Sequence, residues 1–126
     1  VEGYPKERRM KFLLLLTQDG DAWEREPQSE KDRTFNEHMK VYAQLEAQKK
    51  LVDSIRLRPS VEAKTVRTRG GKKVALDGPF CETKEQIGGL YVIECASMDE
   101  AIEWAMKMPH FGDLRYAGIE VRPVWE

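Results

Sequence analysis

Asp77-Gly78-Pro79-Phe80-Cys81-Glu82-Thr83-Lys84-Glu85-Gln86-Ile87-Gly88-Gly89-Leu90-Tyr91 is the stretch on which the fold turns. Gly78 permits close backbone approach, and Pro79 fixes the direction in which the chain leaves. Asp77 to Phe80 therefore forms a rigid corner that presents a carboxylate between two strands. Downstream, Gly88 to Cys95 reads as a buried strand, with Tyr91 and Ile93 on one face and Leu90 and Val92 on the other. Upstream, Ala63 to Arg69 and Lys72 to Asp77 flank Gly70-Gly71, a two-residue turn that favours a hairpin. That turn sets Lys64 opposite Asp77 and Val66 opposite Ala75.

Working outward, Val1 to Arg9 is polar, aperiodic and read as a flexible N-terminal extension to a single domain spanning 10–126. Lys11 to Thr17 reads as a first strand that is apolar on both faces: Phe12, Leu14 and Leu16 on one, Leu13 and Leu15 on the other. Gln18 to Gln28 is a polar connection carrying Trp23 and Pro27. Ser29 is the expected N-cap of a helix running to about Lys50, with Asp32 in its first turn and Phe35, Met39, Tyr42 and Leu45 as its inner face. Leu51 to Leu57 is a short strand ended by Pro59. Ser97 and Glu100 make a capping box for a second helix whose inner stripe is Met98, Ala101, Ile102 and Ala105, and Pro109 stops it. Ile119 to Val124 is the last strand.

Strand, helix, strand, hairpin, strand, helix, strand is an α+β order, a ferredoxin-like split βαβ sandwich with an added β-hairpin. Two helices cover only one face of such a sheet, yet two of its strands are apolar on both faces. The simplest cover for the second face is the same sheet of another subunit, so a homodimer is expected.

At 126 residues the chain suits one domain, and its net charge of -1 offers no footprint for nucleic acid or an anionic membrane. Its longest apolar run, Phe12 to Leu16, is too short to span a bilayer, and no signal peptide is apparent. Cys81 and Cys95 are read as free thiols of a reducing, cytoplasmic compartment. Neither belongs to a CxxC, and His38 and His110 complete the soft metal ligands, so neither a metal nor another cofactor is expected.

His38 falls on or beside the apolar face of the first helix. An imidazole there suits a general acid or base; the plainer reading is a structural histidine bonded to its surroundings. Asp77 is its natural carboxylate partner, able to orient the ring and support its cation. Equally, Asp77 caps the turn toward Phe80 or pairs with Lys64 across the hairpin. Tyr42, Phe80 and Tyr91 are candidate linings of the cleft such a pair would serve; aromatics in a small domain otherwise belong to the core. Cys81 and Cys95 read as packed thiols and His110 as an exposed loop residue. The cations Lys64, Arg67, Arg69, Lys72 and Lys73 read as a solvated, edge-protecting hairpin or as an anion site.

Taken together, Met10-Lys11-Phe12-Leu13-Leu14-Leu15, Thr65-Val66-Arg67 before Gly70-Gly71, the run Asp77 to Tyr91, and Glu120-Val121-Arg122-Pro123-Val124 resemble the YciI-like (YCII-related) family, in its DGPF subgroup. The resemblance covers nearly everything after residue 9 and implies a dimeric α+β barrel of ferredoxin-like subunits. It implies a proposed helix histidine, matched here by His38, with a nearby aspartate for which Asp77 is the candidate. Small aromatic or lactone-like compounds are the implied ligands, and the implied chemistry is proton transfer of a lyase or isomerase kind. The non-catalytic alternative is a ligand-binding or regulatory module linked to sigma-factor-dependent transcription. Where relatives often read Ala-Gly-Glu near the second strand, this chain has Asp53-Ser54-Ile55, and Cys81 stands at a position that is commonly alanine.

Overall fold

The computed structural model describes residues 9–80, 85–109 and 117–126. In chain order the elements are β1 (Met10–Gln18), α1 (Gly20–Glu24), α2 (Gln28–Ala47), β2 (Leu51–Arg56), a single 3-10 turn (Ser60–Glu62), β3 (Lys64–Arg69), β4 (Lys72–Asp77), β5 (Gln86–Cys95), α3 (Met98–Met106) and β6 (Gly118–Pro123). Four strands form one sheet in the order β2-β5-β1-β6, and β3 with β4 forms a separate two-stranded sheet. Every neighbouring pair is antiparallel. The architecture is α+β, and the order of the large sheet is compatible with a ferredoxin-like fold. Except for Arg9, whose guanidinium donates to the Lys49 carbonyl at 3.0 Å, the expected N-terminal extension lies outside the described residues.

Alternation along β1 and β5 builds the core. Phe12, Leu14 and Leu16 meet Tyr91, Ile93 and Cys95 on one face, and Val41, Leu45, Ala101, Trp104 and Met108 close over them. Phe12, Leu14, Leu45 and Ile93 lose all their exposed surface. Truncating one such side chain to alanine costs about 2–5 kcal/mol, because the hole left behind cannot fully collapse. The intervening residues Leu13, Leu15, Leu90 and Val92 point to the opposite face and are only half-buried. Beside Leu90 in the register of β2, Ile55 is 43% exposed.

The hairpin has the register that its turn dictates: Lys64 faces Asp77 and Val66 faces Ala75. Gly70 and Gly71 both carry positive φ, +58° and +78°, as a two-residue hairpin turn requires. Gly89 answers a different demand, since a Cβ there would come within 3.0 Å of the Ile55 carbonyl on the adjacent strand.

Four local expectations are corrected. Ser29 lies inside α2, not at its cap, which is Pro27. The inner face of α2 is Thr34, His38, Val41 and Leu45, while Phe35 and Met39 stay 43% and 44% exposed. The connection after β1 holds the short helix α1, capped by the Asp19 carboxylate on the N–H groups of Asp21 and Ala22, with Trp23 buried. On α3 the second buried position is Trp104, not Ile102. The Ser97–Glu100 box forms as read: Ser97 Oγ accepts from the Glu100 N–H at 3.2 Å, and the Glu100 carboxylate accepts from the Ala96 N–H at 3.1 Å.

Candidate functional site

Spacings of four, three and four residues put Thr34, His38, Val41 and Leu45 on one stripe of α2, and packing of that stripe on the sheet carries His38 into the core. His38 is 6% exposed. Its Nδ1 lies 3.3 Å from the Tyr91 hydroxyl on β5, and the two rings stack at 6.0 Å between centroids and 17° between planes. Ser54 stands directly opposite Tyr91 in the register of β2. Burial pushes the Tyr91 phenol up from its ordinary pKa of 10.0, a hydrogen bond with Ser54 opposes this, and the nearby Tyr42 adds to the rise. Tyr91 is therefore a neutral phenol at physiological pH. Ser54 was legible in the sequence only as a departure from its relatives; a lone serine in a strand carries no signal of its own.

Asp77 occupies a different setting. It ends β4, its side chain is exposed, and its Oδ1 lies 2.5 Å from the Lys64 Nζ across the hairpin. Of its alternative roles, the cross-hairpin pair is the contact the structure contains. Behind Asp77 the corner is pinned from both sides. Gly78, at φ +97°, donates its N–H to the Ala63 carbonyl at 2.8 Å, and its own carbonyl accepts from the Thr65 hydroxyl at 2.8 Å. Arg67 donates to the Phe80 carbonyl at 3.0 Å and rests its guanidinium 4.3 Å from the Phe80 ring centre. The aromatic candidates thus divide: Tyr42 and Tyr91 gather around His38, whereas Phe80 belongs to the hairpin corner.

A concave space lies at that corner. A cavity of about 760 Å³ opens between the hairpin and the ends of β2 and β5, walled by Leu57, Pro59, Val66, Pro79, Phe80 and Ile87. Phe80, Val66 and Ile87 are 66%, 65% and 45% exposed, an unusual set of large apolar side chains to leave facing water in one place. Charges at the rim are engaged with one another. Arg58 holds Glu62 through two bonds of 2.8 and 3.1 Å, and Lys64 holds Asp77. An adjoining space of about 350 Å³ shares Leu57, Arg58, Pro59, Ser60, Gln86 and Ile87 and reaches Trp23, Asp21 and Arg56. Asp77 lines a smaller cavity with Arg67 and Phe80 on the hairpin. His38 lines none of these three.

Cys95 is buried, and burial raises its thiol pKa above the ordinary 9.0, so it is a core residue as read. Cys81 and His110 lie outside the described residues. Among the described residues no three His, Cys, Asp or Glu side chains group as a metal site would require, and no helix is long and apolar enough to cross a membrane.

Sheet order, hairpin and the Asp77–Phe80 corner together make a small α+β domain. Residues 10–126 match the model of the YCII-related domain, and the chain belongs to that family. It is also similar to an uncharacterised protein of Rhizobium meliloti (strain 1021), 37% identical over 103 residues, which are 82% of this chain and 80% of that protein.

Proposed function

We propose that this YCII-related domain binds a small, uncharged aromatic or lactone-like molecule in the cavity between the hairpin and the sheet. The observation that carries this reading is the pairing of wall and rim. Leu57, Val66, Phe80 and Ile87 offer apolar surface, while Arg58 and Lys64 are already neutralised by Glu62 and Asp77. Such a site rewards burial of an apolar body, and among the described residues its wall leaves no cation waiting for an acidic ligand. Titration of the protein with indole, followed through backbone amide shifts, tests it: binding should weaken at least several-fold in Phe80→Ser, which removes the ring from the wall. In its regulatory form, beside a sigma factor, the domain would act as a sensor in which an occupied cavity alters what the hairpin touches.

The dimer belongs to the same reading. Leu13, Leu15, Leu90, Val92 and Ile55 form an apolar band on the sheet face opposite the helices, and a second copy packed there would close two sheets into an α+β barrel.

Proton transfer by His38 is the second reading, favoured by the contact between its Nδ1 and the Tyr91 hydroxyl. Asp77 joins that chemistry only by exchanging Lys64 for the imidazole.

A further inference from the structure

Beyond the ligand cavity, three polar side chains from three different elements adjoin one another: His38 on α2, Tyr91 on β5 and Ser54 on β2. His38 Nδ1 meets the Tyr91 hydroxyl at 3.3 Å, and Ser54 stands opposite Tyr91 in the register of the paired strand. β2 is an edge strand, so Ser54 stands between the buried pair and the sheet margin, and it is half-buried where His38 is buried.

A phenol hydroxyl has one proton to give and lone pairs to accept with. With His38 neutral and Nδ1 unprotonated, Tyr91 donates to Nδ1, and the Ser54 hydroxyl donates to the Tyr91 oxygen. With His38 protonated, Nδ1–H donates to the Tyr91 oxygen, and Tyr91 donates to Ser54. Both arrangements keep Nδ1 and the two hydroxyls paired along the chain, so the added charge breaks no bond between its members. The conversion balances. One proton arrives at the Ser54 oxygen from hydronium, the former Ser54 proton passes to Tyr91, and the former Tyr91 proton passes to Nδ1. The O–H bonds broken at hydronium, Ser54 and Tyr91 are matched by the Ser54 O–H, Tyr91 O–H and Nδ1–H bonds formed, and the single positive charge moves from hydronium to the imidazole.

We propose that Ser54–Tyr91–His38 is a reversible hydrogen-bond relay through which a histidine buried in the core takes up and releases a proton at the β2 edge. The groups around it are compatible with this. Tyr91 faces His38 from β5, and Tyr42 lies one turn along α2. From β2, Arg56 comes against Phe35 of the same helix, 5.5 Å from its ring centre. The phenol raised by burial stays neutral across the range in which an imidazole titrates, so Tyr91 conducts without ionising. Tyr91 and Ser54 are positioning residues in this scheme.

The test is a ring-nitrogen NMR titration of His38 in wild type, Tyr91→Phe and Ser54→Ala. Wild type should show the Nε2–H tautomer at high pH and a reversible protonation while the fold persists. In Tyr91→Phe, loss of the acceptor for Nδ1–H should lower the His38 pKa by about one unit, the size of one hydrogen bond to a charged group. Ser54→Ala, a change beside the surface, should lower it in the same direction by less. An Nδ1–H tautomer in wild type overturns the proposal, as does a His38 that stays neutral until the protein unfolds. A titration unchanged in both variants overturns it too. These readouts involve no ligand, so a failed cavity would leave them as they are.

Discussion

Lys64 Nζ and Asp77 Oδ1 lie 2.5 Å apart across the hairpin, joining the first residue of β3 to the last of β4. Their side chains are 70% and 90% exposed, so water screens the pair and its net worth is small. Asp77→Asn should therefore cost less than about 1 kcal/mol in chemical denaturation. A larger loss would mean that the carboxylate has a second, buried duty.

Gly78 is the more sensitive half of that corner. Its φ of +97° is closed to side chains, although a Cβ there would meet nothing within 4 Å. The strain alone should cost Gly78→Ala about 1–3 kcal/mol. Thermal unfolding of the variant measures it. Because Thr65 and Ala63 hold the glycine from β3, the same variant should also disturb amide shifts of those two residues.

Glu100 links acid sensitivity to the start of α3. Burial acts to raise its pKa, but the Lys50 ammonium, the Ala96 N–H and the Trp104 indole outweigh it and hold the carboxyl below its ordinary 4.5. A carboxyl lowered on folding stabilises the native state above its unfolded pKa, and that contribution fades as pH falls through the folded value. Wild type should thus lose stability as pH drops below about 4.5, and Glu100→Gln should flatten that slope. At neutral pH the variant should be about 1 kcal/mol less stable, the scale of a lost cap and charged hydrogen bond.

The sheet face supplies a fourth test. Leu15 lies between Leu90 on β5 and Glu120 on β6, on the side away from the helices. If two copies meet there, Leu15→Lys should convert a dimer into a folded monomer in sedimentation equilibrium. A wild type that sediments as a monomer at all concentrations would exclude the barrel.

How much of this could be read beforehand follows from the physics of each element. β1, β5 and the hairpin declare themselves through alternation and through Gly70-Gly71, because a strand buried on one or both faces leaves a short, strict pattern. α2 was harder. Phe35 and Met39 are the larger apolar side chains, and counting them rotates the inner face by one residue; the buried stripe instead carries Thr34 and His38, the latter with its Nδ1 against the Tyr91 hydroxyl. α1 leaves no sequence pattern because five residues hold too little periodicity, although Asp19 and Trp23 mark its cap and its anchor. Of the candidate site, His38 and Tyr91 come together through tertiary packing. Asp77 was equally readable as a partner of Lys64, and only the placement of the hairpin decides which contact it makes. The cavity was invisible because its walls come from the ends of β2 and β5 and from the hairpin, segments distant in sequence.

The most direct measurement is of where an uncharged aromatic ligand sits. Indole added to isotopically labelled protein should give intermolecular NOEs to the methyl groups of Val66 and Ile87 and to the Phe80 ring, with binding lost or strongly weakened in Ile87→Ser. NOEs confined to other surfaces, or saturating binding that ignores both Phe80→Ser and Ile87→Ser, would contradict the assignment of the hairpin cavity as the ligand site.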